Sequence, residues 1–218
     1  MPDYALQRSN MVESQVRPCD VPDPRLQAAL GKIPRERFVP APKRALAYAE
    51  VPVEVVPGRF MLEPRTLAKL LQFAEVQATD RVLVVGAMTG YSAAVLGELA
   101  AKVTALETDV DLVRAASEIL PAAGAKGVEI VQGGLADGFP RGAPYDLILI
   151  DAGVETVPEA LIAQLAEHGR LVTVVMGKSE MGQAVLYVRH GAHVGQRVGF
   201  DASAPLLPGF RKTAAFVF

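Results

Sequence analysis

From residue 63 onward the apolar positions follow two alternating rhythms. Leu67, Leu70, Leu71 and Ala74 recur at three- and four-residue spacing, which marks one face of a helix. Short, mostly apolar runs follow at 81–85, 103–107, 128–131, 145–151 and 170–176. Between them lie helical patterns: one over 90–101, and one capped by Asp109 that carries Leu112, Val113, Ala116, Ile119 and Leu120. A third opens at Pro158 and ends at His168-Gly169, where the imidazole suits a helix C-terminus. Strands buried on both faces read as unbroken apolar runs. The alternation therefore predicts an α/β domain, doubly wound around a mostly parallel sheet. Residues 183–188, 196–200 and 212–218 read as strands joined without helices, an antiparallel addition to one sheet edge.

The first quarter has a different texture, with ten of the sixteen prolines at or before Pro64. Proline interrupts helices and cannot donate to a sheet ladder, so short helices and turns are expected here. Asp23-Pro24 reads as an N-cap with proline at the first helical position, opening a helix that stops before Gly31. Residues 33–40 and 42–49 read as two more brief helical pieces. Residues 1–60 have too little periodicity for a core of their own. They are read as a covering layer on a Rossmann-like domain at 61–218.

Composition narrows the function. Half of the 218 residues are hydrophobic and the formal net charge is −2, which predicts a sizeable core and argues against an electrostatic nucleic-acid binder. One cysteine (Cys19) and three histidines leave neither a disulfide scaffold nor a structural zinc site, and no metal is expected. His190 and His193 read as solvated positions. No apolar run is long enough for a membrane span, and the first residues lack a signal-peptide stretch, so a cytoplasmic protein without a membrane partner is expected.

In an open parallel sheet, ligands bind beyond the carboxyl ends of the strands. The turn after the first strand is Gly86-Ala87-Met88-Thr89-Gly90, leading into a helix. Glu107 closes the second strand, where an acid accepts hydrogen bonds from a ribose diol. The order strand, turn, helix, strand, acid points to a nucleoside-containing cofactor. A bare tight turn with a solvated strand end is the simpler alternative. A dinucleotide fingerprint would place glycines at 86, 88 and 91, where the chain has Gly, Met and Tyr, which weighs against NAD or FAD.

The segments IPRERFVP (33–40), AYAEVP (47–52), RVLVVGAMTGYSAAVL (81–96), APYDLILIDAG (143–153) and VPEALIAQLAEHGRLV (157–172) resemble the protein-L-isoaspartate O-methyltransferase family. NMVESQVRP and the tail segment DASAPLLPGF resemble a bacterial side-branch of it. The resemblance implies a seven-stranded methyltransferase fold using S-adenosylmethionine, with isoaspartyl-bearing proteins or peptides as substrate. It carries the cofactor site onto Gly86, Ala87, Met88, Thr89, Gly90, Tyr91, Glu107, Gly134 and Leu135. The substrate loop falls on Arg59, Phe60 and Met61, and the catalytic positions on Leu62 and Asp151. Arg59 is read either as a partner for a substrate carboxylate or as an exposed loop residue. Asp151 either approaches the reacting groups or caps the following turn, and Met61 and Leu62 have a core reading too. The implied reaction needs no general base, because a carboxylate with a pKa of ~4 is already ionised at neutral pH.

Four departures fall on the family's functional positions. Val84 replaces an acid of the first strand, Met88 a glycine, and Gly134 an aspartate that holds the adenine amine. Phe60 and Leu62 replace two hydroxyls of the substrate loop. A charged hydrogen bond is worth ~1.5–3 kcal/mol, so loss of two acids costs ~3–6 kcal/mol of cofactor binding if the terms add. Asp137, three residues beyond Gly134, is a candidate to reach the adenine instead. The alternatives are a methyltransferase-like binding or regulatory protein without turnover, and a methyltransferase with another acceptor.

Overall fold

The computed structural model describes residues 2–177 and 180–212. Nine strands are labelled in chain order: β1 (Val53–Val56), β2 (Arg59–Met61), β3 (Arg81–Val85), β4 (Lys102–Glu107), β5 (Val128–Gln132), β6 (Tyr145–Val154), β7 (Leu165–Met176), β8 (Gly182–His190) and β9 (His193–Ala202). The last seven form one sheet in the order β5-β4-β3-β6-β7-β8-β9. The pairings from β5 to β7 are parallel, and β8 and β9 add antiparallel at the edge. Strand order reverses beside β3, so the carboxyl ends of β3, β4 and β6 frame the crevice where such sheets bind ligands. Residues 213–218, most of the last expected strand, lie outside the described residues.

The apolar runs have the predicted cause. Val82, Val84, Val103, Ala105, Leu147, Leu149, Val172 and Val174 enter one core cluster, together with buried residues of the first five helices. Those helices are α1 (Tyr4–Met11), α2 (Pro24–Lys32), α3 (Pro64–Ala74), α4 (Tyr91–Leu96) and α5 (Val110–Ala122). The alternate residues Leu83, Val85, Leu106, Ile148, Ile150 and Leu171 enter a second cluster on the opposite face. That face is covered by the short α6 (Glu159–Ile162) and by Leu207 and Phe210 of the segment after β9. Among the described residues, no helix is long and apolar enough to cross a membrane.

Several expectations need correction. The helix from Pro158 stops at Ile162, because Gln164 draws the chain into the sheet. Its main-chain carbonyl accepts from Tyr145 N at 2.9 Å, and its side chain accepts from Phe139 N and donates to the carbonyls of Asp137 and Ala160. His168 is therefore not a helix end: it lies in an irregular stretch of β7 at φ +61°, its Nδ1 3.3 Å from that of His190. Helix α4 ends at Leu96 instead of running to 101. Helix α2 runs through Gly31 to Lys32. Asp23 caps α2 and Asp109 caps α5 as expected, and two 3-10 turns, Arg35–Phe38 and Ala41–Leu46, occupy the brief helical pieces.

Gly97 ends α4 against the strand-5 approach: an added Cβ would run into the Lys126 carbonyl and stand 2.9 Å from Val128 Cγ2. Gly97→Ala is expected to destabilise the chain by about 1–3 kcal/mol through overpacking, read as a lower urea midpoint with an unchanged slope.

Candidate functional site

The loop after β3 is shaped by two left-handed glycines, Gly86 at φ +79° and Gly90 at φ +98°. Between them Met88 also takes positive φ, at +50°, a conformation glycine adopts without cost and methionine does not. The backbone N–H groups of Gly86 and Ala87 donate to Leu106 O, locking the loop to the end of β4. From the other side, Thr89 Oγ1 donates to Phe38 O at 2.7 Å, and the Tyr91 ring meets Phe38 edge-on at 5.6 Å. The N-terminal layer thus holds one side of the loop.

Glu107 is fully buried at the end of β4. Its carboxylate accepts from the N–H groups of Met88 (2.8 Å), Thr108 (2.8 Å) and Asp109 (3.2 Å). It also receives both arms of Arg59, Nη1 at 2.9 Å and Nη2 at 2.7 Å. Burial works to raise its pKa, yet the Arg59 guanidinium and the backbone donors outweigh that and hold it below the ordinary carboxylate value.

This overturns the reading of Arg59 as an exposed loop residue: its guanidinium is turned inward onto Glu107. It is 8% exposed and sits on β2, which pairs with β1 in an antiparallel hairpin turned at Gly58. The hairpin itself, though not the inward turn of Arg59, was signalled in the sequence. Val53-Glu54-Val55-Val56, Pro57-Gly58 and Arg59-Phe60-Met61 spell strand, turn, strand. Phe60 lines the cleft, whereas Met61 and Leu62 are consumed by the core. The Leu62 carbonyl accepts from the buried Arg35 at 2.5 Å, and its side chain does not reach the cleft.

Asp151 does not cap a turn, since β6 continues to Val154. It is 3% exposed; Ser92 Oγ donates to its Oδ2 at 2.6 Å, and its Oδ1 has no hydrogen-bond partner. Burial is the main reason its pKa rises from 3.8 to about 6. At the far end of the crevice, a Cβ on Gly134 would collide with the Asp137 carboxylate. Asp137 therefore fills the space that a side chain at 134 would take. Leu135 is buried in the second core cluster, and Val84 is fully buried in the first.

No local pattern in the chain points to what lies over the loop. Leu207 N donates to Gly153 O and Gly153 N to Pro205 O, which ties the segment after β9 across the end of β6. A Cβ on Gly86 would find Leu207 Cδ1 at 3.3 Å and Arg59 Nη2 at 3.5 Å. What remains between Arg59, Phe60, Met88, Asp151 and residues 205–208 is a cavity of about 10 Å³. That is room for about one water, where small-molecule sites need roughly 300 Å³ or more. In this closed arrangement Arg59 and Leu207 occupy the space beside Glu107 and Gly86, and Glu107 with the 86–90 loop are the residues that would hold a nucleoside once that space opens.

The chain matches a family model described as protein-L-isoaspartate(D-aspartate) O-methyltransferase over residues 7–199. A protein-L-isoaspartate O-methyltransferase of Rhodopseudomonas palustris is 41% identical over 181 residues, 83% of each chain. One of Methanoculleus marisnigri is 39% identical over 188 residues, 86% of this chain and 85% of its own. Among solved structures, one described as a protein-L-isoaspartate O-methyltransferase superposes with a TM-score of 0.80 at 24% identity, covering 93% of this chain and 66% of its own. A Plasmodium falciparum protein of like description, solved with S-adenosyl-L-homocysteine, superposes at 0.76 and 19% identity, covering 92% of this chain and 97% of its own. The last two likenesses speak for the fold.

The raised pKa of Asp151 makes a signed prediction. Between 3.8 and about 6 the folded chain holds a proton that the unfolded chain has released, so this group's contribution falls as pH rises through that window. Compared with Asp151→Asn, the wild type is expected to lose about 2 kcal/mol of stability from pH 4 to 7 in urea unfolding. Parallel pH profiles for the two proteins would refute it.

Proposed function

The chain belongs to the protein-L-isoaspartate O-methyltransferase family, and we propose that it performs that family's reaction. This is S-adenosylmethionine-dependent methyl transfer to the carboxylate of L-isoaspartyl and D-aspartyl residues in damaged proteins. The observation that carries the reading is the reach of the match: residues 7–199 fit the family model, and relatives of that name are about 40% identical over more than four-fifths of both chains. The family's methyl donor is S-adenosylmethionine, and the acceptors are protein or peptide carboxylates.

The chemistry asks little of the side chains. The acceptor carboxylate is ionised at neutral pH, so what the chain must contribute is alignment and exclusion of water. Glu107 and the 86–91 loop are the proposed cofactor wall. Asp137 supplies a carboxylate at the position where Gly134 has none, and Phe60 bounds the substrate side. Residues 1–60 act as the covering layer over the domain at 61–218, and the reaction is assigned to the cytoplasm, with neither nucleic acid nor membrane as partner. Turnover belongs to a more open form of the cleft than the one described. The filled cleft favours one second reading, a scaffold of this family that no longer turns over.

Incubating the chain with an isoaspartyl peptide and methyl-labelled S-adenosylmethionine is expected to give a base-labile methyl ester on the peptide. Label that never leaves the donor, on this peptide or on heat-aged protein, would favour the second reading. Asp137→Ala is expected to weaken S-adenosylhomocysteine binding about tenfold, the worth of one charged hydrogen bond, by calorimetry.

A further inference from the structure

Three observations converge on Arg59. Its guanidinium occupies both oxygens of Glu107, the acid that in doubly wound sheets accepts from ribose hydroxyls. The other bonds to that carboxylate come from the backbone N–H groups of Met88, Thr108 and Asp109, so a ribose diol finds its place taken until Arg59 withdraws. Second, Arg59 is carried by the β1–β2 hairpin, a two-stranded sheet separate from the seven-stranded one, with an exposed turn at Gly58. Moving it breaks no pairing of the main sheet. Third, the small cavity that Arg59 lines is also lined by Asp151, whose Oδ1 is buried and without a partner.

We infer that Arg59 is a two-position latch on the nucleoside site. Paired with Glu107 it closes the cleft; when an S-adenosyl ligand arrives it passes to the free oxygen of Asp151 and releases Glu107 to the ribose. The inference rests on the cofactor reading above. A buried guanidinium leaving one carboxylate needs another, because an unpaired buried charge is strongly unfavourable. Asp151 meets that need with one oxygen already fixed by Ser92 and the other open. Arginine suits the task because its planar fork engages carboxylates bidentately and stays charged when buried. The closed form lowers the apparent affinity for the cofactor by the fraction of molecules that are open.

Calorimetric titration of the full chain with S-adenosylhomocysteine tests the latch. Arg59→Ala and the milder Arg59→Gln are expected to bind at least about tenfold more tightly than wild type, as the closed form loses its hold. Leu207→Ala enlarges the same cleft but leaves Glu107 paired, so it is expected to gain less than Arg59→Ala. Asp151→Asn is expected to weaken binding in the wild type and to have no effect in the Arg59→Ala background. Thermal melts confirm that each variant is folded. Arg59 variants that bind no better than wild type, or an Asp151→Asn loss of equal size in both backgrounds, would overturn the latch, as would no binding by any variant at millimolar ligand. Tighter binding without methylation of an isoaspartyl peptide would uphold the latch and sink the acceptor assignment. Micromolar wild-type binding with turnover, unchanged by Arg59→Ala, would do the reverse.

Discussion

A carboxylate buried at the end of β4 constrains everything around it. Glu107 has no access to water, so its charge must be balanced within the fold. The balance comes from three segments: the β1–β2 hairpin through Arg59, the loop after β3 through Met88 N, and the start of α5 through Thr108 and Asp109 N. Removing one member of such a pair typically costs ~3–5 kcal/mol, because the other charge is left stranded. One side chain thereby fixes the position of the hairpin, the unusual backbone of Met88 and the register of the cap at Asp109. The same charge that holds the crevice together also fills it.

The sheet was legible because its signal is redundant. Each strand from β3 to β7 carries apolar residues to both faces, so the runs are mostly apolar and the helices between them fall where the periodicity changes. The edge hairpin of β8 and β9 was legible for the opposite reason, the lack of a helix between two strand-like segments. Local sequence could not show where tertiary bonds override a helical pattern. At Gln164 one amide side chain and one carbonyl pull the chain out of helix into β7. His168 then falls into a bulge instead of a cap.

The site was legible in position and not in state. The loop 86–90 and Glu107 stand at the ends of adjacent strands, as the order of elements requires. The occupant of Glu107 was not legible, because Arg59 lies 48 residues earlier and its inward direction depends on hairpin register. Nor was Leu207, brought over Gly86 by main-chain bonds to Gly153 that depend on no particular side chain. The apolar substitutions at Val84 and Leu62 prove to be parts of the core, which explains how the chain tolerates them.

The carboxylate of Asp137 sits where position 134 has no side chain of its own. The turn from Gly134, closed by Asp137 N donating to Gly134 O, brings a carboxylate from three residues further along the chain back beside that position. A residue-by-residue alignment would therefore record no acid at 134, although a carboxylate from position 137 stands beside it. Criteria for sorting active from inactive relatives of this chain are better written in terms of places in the crevice than of columns in an alignment.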